Sequence, residues 1–144
     1  MCAYVHRAPA FPELADHSEP KGVFVETNRA GQVANVPADV RRVVIPVGSG
    51  MSLAGVLAGR VAQDMHWPVL GVVVGASPEA RLDRWAPGWR WDGSVQLNWH
   101  PSDYGTPARM PYLAGIGLDP FYEAKCLPYL RPGDLLWIVG RRAV

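Results

Sequence analysis

An α/β fold, with three layers of helix, sheet and helix around a mostly parallel sheet, is what the sequence predicts, and three observations predict it. Residues 42–47 and 68–75 are two valine-rich runs, apolar at nearly every position, as strands covered on both faces require. Between them Leu53, Val56, Leu57 and Val61 repeat at the 3.6-residue period of an amphipathic helix. Strand, helix and strand with a crossover of about twenty residues form a right-handed βαβ unit, and a third apolar run at 135–139 supplies a further buried strand.

Taken in order, residues 1–21 contain Pro9, Pro12 and Pro20 with no sustained period and read as an extended N-terminal arm. Residues 22–144 form the single α/β domain. His6 and His17 have no partner at a helical or strand spacing and are left out of any site. Residues 22–26 are a short β-rich run, and 37–39 a turn before the main strand. Ser52 is the expected N-cap of the first helix, which ends near 64–66; Gly55 and Gly59 let it approach the sheet closely. Ser77, Pro78 and Glu79 supply an N-cap, an N1 proline and an early acid for a second helix through Trp85. Residues 87–93 break that helix, 94–99 alternate weakly as a third strand, and 100–112 form a loop. Asp119 and Pro120 start a further helix that Pro128 weakens. Five of the six tryptophans fall between Trp67 and Trp99, where an aromatic satellite core, or less simply a platform for a flat ligand, is expected.

The bulk numbers exclude several function classes. With 144 residues and 49% hydrophobic content, one core is affordable and two ordinary domains are not. A net charge of +1 supplies no basic field for nucleic acid. No run of about 18 apolar residues offers a membrane span. Cys2 and Cys126 lack metal-ligand spacing and are expected as free thiols in a cytoplasmic protein.

The stretch that carries chemistry follows the first buried strand: Gly48, Ser49, Gly50, Met51 and Ser52. It is a small-residue turn opening a helix, where backbone N–H groups and the helix dipole converge on an anion, most often a phosphate. A plain strand-to-helix turn is the competing account. It is not a P-loop, since the lysine after the last glycine is missing, and not GxGxxG, since Leu53 stands at the third glycine.

These residues carry a resemblance. Residues 44–55 resemble the strand, GSGGT-type phosphate loop and helix of fold-type II pyridoxal-phosphate enzymes, the tryptophan synthase β superfamily. Residues 118–125, Leu-Asp-Pro-Phe-Tyr-Glu-Ala-Lys, resemble the DPVYEGK segment of its aminocyclopropane-carboxylate deaminase and D-cysteine desulfhydrase branch. The resemblance implies that Gly48, Ser49, Gly50, Met51 and Ser52 bind the 5′-phosphate of pyridoxal 5′-phosphate, with Met51 in place of a usual glycine and Ser52 of a usual threonine. It further implies that Glu123 faces the pyridine nitrogen, where a carboxylate keeps the ring protonated, and that Tyr122 faces an amino-acid substrate. On the residues alone, Asp119 is a helix cap, Tyr122 a packing residue and Glu123 a solvated first-turn acid.

Such an enzyme also needs a lysine for covalent attachment, normally in an N-terminal domain far ahead of the loop. About 47 residues precede the loop here, and the chain has two lysines. Lys125 does not share a helix face with Glu123, and Lys21 lacks the family's Asn-Lys pattern. The expectation is therefore a truncated form of the family, minimal, split or degenerate, with lyase- or deaminase-like chemistry if a second copy or a partner chain supplies the lysine. The alternatives are a non-catalytic module for a phosphorylated small molecule or for protein interaction, and a phosphoribosyltransferase-like enzyme, whose usual paired acids are Pro46 and Val47 here. Arg141 and Arg142 read as a solvated tail rather than an anion contact. His100, Asp103 and Tyr104 are acid–base groups without an identifiable nucleophile.

Overall fold

The fold is described from a computed structural model covering residues 4–7 (backbone), 33, 34, 36, 37, 39–113 and 115–138. Its frame is a five-stranded parallel sheet in the order β1-β7-β2-β3-β4. The strands are β1 (Tyr4–Arg7), β2 (Arg42–Val47), β3 (Val69–Val73), β4 (Val95–Trp99) and β7 (Asp134–Ile138). Helix α1 (Met51–Ala62) joins β2 to β3, and α2 (Glu79–Trp85) with a 3₁₀ turn at Trp89–Trp91 joins β3 to β4. The return from β4 to β7 carries a two-stranded hairpin, β5 (Tyr112–Leu113) and β6 (Ile116–Gly117), and a 3₁₀ helix at Glu123–Tyr129. The expected α/β architecture with a mostly parallel sheet is what forms.

Alternation along the strands sorts the core into two halves. Val43, Ile45, Val47, Val69, Val73, Leu135 and Trp137 face α1 and α2, together with Leu53, Val56, Leu57 and Leu82. Val44, Leu70, Val72, Leu136 and Ile138 face the other way, against Leu118, Ala124, Cys126 and Leu127. Both sheet faces are covered, which is why the strand sequences read as continuous apolar runs rather than alternating ones. At Gly71 of β3 a side chain is crowded: a Cβ there would stand 2.8 Å from Leu97, 2.9 Å from Val47 and 3.1 Å from Leu53 of α1.

Several boundaries depart from the sequence expectation. Helix α1 starts at Met51, not behind a Ser52 cap; Gly50, with φ 87°, holds the N-cap position and no side chain caps the helix. The left-handed conformation there suits glycine, whereas Ser52 already lies inside the first turn. α1 stops at Ala62, a little short of 64–66, and Asp64 turns the chain with φ 51°. Ser77 lies one residue outside the cap position of α2, although its hydroxyl oxygen accepts from Glu79 N at 3.4 Å. The helix expected to start at Asp119 and Pro120 instead begins at Glu123 and is a 3₁₀ helix through Tyr129. Pro128 lies inside it, and the missing proline N–H removes a bond that a longer α-helix needs. Tyr4–Arg7, within the stretch read as an arm, pairs in parallel with Leu135–Ile138. The β-rich run at 22–26 and the tail with Arg141 and Arg142 lie outside the described residues.

Candidate functional site

The site is placed by a divergence between two strands. β2 pairs with β7 only from Arg42 to Val44, while β7 continues beside β1 through Ile138. Pro46, which cannot donate to a ladder, sits where β2 has already left β7, so a proline is tolerated in a central strand. The chain leaves β2 toward β3 on one side and returns to β7 on the other, which makes this the switch point of the sheet. Crevices at the carboxyl ends of strands on either side of such a point are where α/β folds place ligands.

Residues 48–52 directly follow the carboxyl end of β2 and lead into α1. Gly50 turns the chain with φ 87°, and a Cβ on it would stand 2.6 Å from Pro78 Cβ. Met51 opens α1 and is buried, 5% exposed. The positive φ of the loop therefore falls on Gly50, and methionine at position 51 costs no backbone strain. The Met51 N–H donates to Ser49 Oγ at a long 3.4 Å, and the first amides of a helix have no acceptor within the helix itself.

The second motif meets the first. Gly48 N–H donates to the hydroxyl oxygen of Tyr122 at 2.9 Å, across 74 residues of chain. The ring lies so close over Gly48 that a Cβ there would come within 3.1 Å of Tyr122 Cε2 and Oη. Burial, and to a smaller degree the charge of Glu123, push the Tyr122 phenol well above its ordinary pKa, against a lowering by the Gly48 amide. The hydroxyl is thus neutral at any physiological pH, an acceptor toward Gly48 with a proton of its own to donate.

Asp119 sets this segment. Its Oδ1 accepts from Phe121 N at 2.8 Å, and its carbonyl accepts from Tyr122 N at 3.2 Å and Ala124 N at 3.0 Å. Asp119 thus closes a turn ahead of the helix rather than capping it: Tyr122 holds the N-cap position, and no side chain caps the helix. Glu123 differs from its local reading: it is 1% exposed, not a solvated acid. Its charge contributes to raising both Tyr122 and the fully buried thiol of Cys126, the latter after burial itself.

Lys125 points elsewhere. Its side chain is buried, and Nζ donates to the carbonyls of Asp103 at 2.7 Å and Tyr104 at 3.2 Å, over the Tyr104 ring. Burial lowers its pKa, partly offset by the carboxylates of Asp103 and Asp119. His100 follows β4, with Nδ1 2.8 Å from Ser102 Oγ and accepting from Ser102 N at 3.2 Å. That bond places the proton of the neutral ring on Nε2. Asp103, grouped with His100 in the sequence, instead accepts from Thr106 Oγ1 at 2.8 Å.

Sequence reasoning missed Pro78, which backs Gly50, and the part of Lys125 in holding residues 103 and 104. The Ser-Pro-Glu string was visible only as a helix start, and nothing local marks a lysine that serves a distant loop. The tryptophans divide: Trp85 and Trp89 pack on the helical side of the core, while Trp91 and Trp99 are exposed. A cavity of about 330 Å³ beside Trp85 and Trp89 is also lined by Leu57 and Val61, near the carboxyl end of α1, whereas the loop at 48–52 lies at its other end. Among the described residues, no three His, Cys, Asp or Glu side chains group to hold a metal, and no helix is long and apolar enough to cross a membrane. No protein-family model matches the sequence, and no curated protein matches it.

Proposed function

We propose that the crevice at the carboxyl ends of β2 and β7 binds a phosphorylated small molecule, and that this molecule is pyridoxal 5′-phosphate. One observation carries the reading: the two stretches that resemble pyridoxal-phosphate enzymes, far apart in sequence, meet through the 2.9 Å bond from Gly48 to Tyr122. Two further features support the reading. The loop at 48–52 has the glycine turn and helix start that a phosphate needs. Glu123, buried beside Tyr122, supplies an acid where the resemblance calls for a partner to a protonated ring nitrogen.

When bound, the cofactor would serve as an electron sink for an amino-acid carbanion. The chain's own residues hold and orient: the loop amides and Ser49 and Ser52 take the phosphate, and Glu123 holds a proton at the ring nitrogen. Tyr122 closes the phosphate end. Covalent attachment is not supplied by Lys125, whose ammonium is committed to two carbonyls, and Lys21 lies outside the described residues. The engagement of Lys125 favours a binding domain that either takes its lysine from a partner chain or acts without catalysis.

Titration with pyridoxal phosphate tests this. Saturable binding near micromolar concentration is expected, abolished in Ser49→Asp by like-charge repulsion. Borohydride reduction and peptide mapping should leave Lys125 unmodified. Absence of binding, or wild-type binding by Ser49→Asp, would remove the cofactor reading.

A further inference from the structure

The contact between Gly48 and Tyr122 has a second consequence, which rests on the phosphate reading above. The Gly48 amide is the first donor of the loop, and it is already taken. The Gly48 N–H is partly buried, and a shielded N–H left without an acceptor costs up to about 1–3 kcal/mol, so a loop that presents amides to an anion gains from a group that holds them when none is there. Tyr122 is placed for that: its hydroxyl oxygen lies at hydrogen-bond distance and its ring lies close over Gly48. A phosphate oxygen and the phenol oxygen cannot both take this N–H in a linear bond.

We propose that Tyr122 is an internal competitor of the phosphate site, a neutral oxygen that holds the Gly48 amide until an anionic oxygen displaces it. The exchange favours the anion, because a hydrogen bond to a charged oxygen is roughly twice as strong as one to a neutral oxygen. Burial keeps the phenol protonated, so the loop never faces a phenolate it would have to expel. The freed hydroxyl still has one proton to donate. Tyr122 thereby sets a threshold of affinity common to every ligand that reaches Gly48.

Tyr122→Phe removes the competing oxygen and keeps the ring. Inorganic phosphate and pyridoxal phosphate should both bind the variant more tightly, by about two- to tenfold, the span of one ordinary net hydrogen bond. The gain should be equal for the two ligands, as removal of a shared competitor requires. In ¹⁵N-labelled protein without ligand, the Gly48 amide proton should move upfield in the variant, and in the wild type phosphate should shift the Gly48 amide and the Tyr122 ring together. Binding by the variant alone would also support the proposal. It is overturned if the variant binds phosphate as well as the wild type or more weakly, which would make Tyr122 a bystander or a direct ligand while leaving the phosphate reading intact. If neither protein binds either ligand, the phosphate reading falls and the competitor with it.

Discussion

Lys125 places its ammonium 2.7 Å from the carbonyl oxygen of Asp103, so the 3₁₀ helix that follows Tyr122 also fixes the loop after β4. One short segment therefore holds two loops, at Gly48 through Tyr122 and at residues 103 and 104 through Lys125. The same charge bears on His100. Burial first, and then the positive charge of Lys125, hold the His100 imidazole below its ordinary 6.5.

Lys125→Met should accordingly raise the His100 midpoint toward 6.5, read by NMR titration of the ring. A base whose pKa is lowered by folding binds fewer protons in the native state, so its contribution to stability is full above about pH 6.5 and is lost as pH falls through the folded value. The variant should narrow that loss while costing about 1–3 kcal/mol from two carbonyls deprived of their donor. An unmoved His100 midpoint would show that the two groups do not sense each other.

The two glycines of the loop should respond unequally to alanine. At Gly50 the new Cβ meets Pro78 Cβ at 2.6 Å and the backbone sits at φ 87°. Left-handed strain of about 1–2 kcal/mol and overpacking of about 1–3 kcal/mol add there. At Gly48 the obstacle is the end of the Tyr122 side chain, which can swing, so a loss of about 1 kcal/mol is expected. Urea unfolding of both variants checks the order; a Gly48→Ala protein less stable than Gly50→Ala would contradict the assigned backbone.

How much of this was legible depends on the range of the interactions. The strands at 42–47 and 68–75 and the helix around Leu53 and Val56 were readable because burial on both faces, or on one stripe, writes itself into consecutive residues. The cap of α1 was not, because Ser52 has the expected side chain and Gly50 the required conformation, and conformation won. The helix expected from Asp119 begins only at Glu123, because Asp119 and Pro120 first close a turn, and Pro128, expected to weaken the helix, lies within its 3₁₀ run. The nearness of Gly48 and Tyr122 was suggested only through resemblance, and the loop held by Lys125 had no local signal at all.

At the other end of the sheet, Arg42 and Asp134 make a second long-range pair. Arg42 donates to both Asp134 oxygens, at 3.3 and 2.7 Å, and to the carbonyl of Tyr129 at 2.7 Å, while Asp134 also accepts from Arg131 N at 2.8 Å. The Asp134 side chain is 1% exposed and that of Arg42 17%. Arg42→Met strands a buried carboxylate and should cost about 3 kcal/mol, whereas the double variant Arg42→Met with Asp134→Leu should recover much of the loss. Additive losses in chemical denaturation would show that the pair is not coupled.

Arg60 ties the helical layer to the strand beyond it. Though it belongs to α1, it is 4% exposed and donates at 2.9 Å to both the Trp67 carbonyl and Ser94 Oγ, with Asp92 as its ion-pair partner. Lysine cannot reproduce that fork, so Arg60→Lys should destabilise by about 1–3 kcal/mol. Asp92→Asn should cost less, since the Asp92 side chain is 40% exposed. Its carboxyl is held below the ordinary value first by the Ser94 hydroxyl, then by the Ser94 amide, with Arg60 adding to both. An acid with a lowered pKa stabilises the fold fully above its ordinary 3.8 and loses that contribution as pH falls through the folded value. Asp92→Asn should therefore flatten the acid limb of stability below pH 4 and leave stability less changed at pH 7 than Arg60→Lys does; the reverse order would mean that Asp92, not Arg60, anchors the junction.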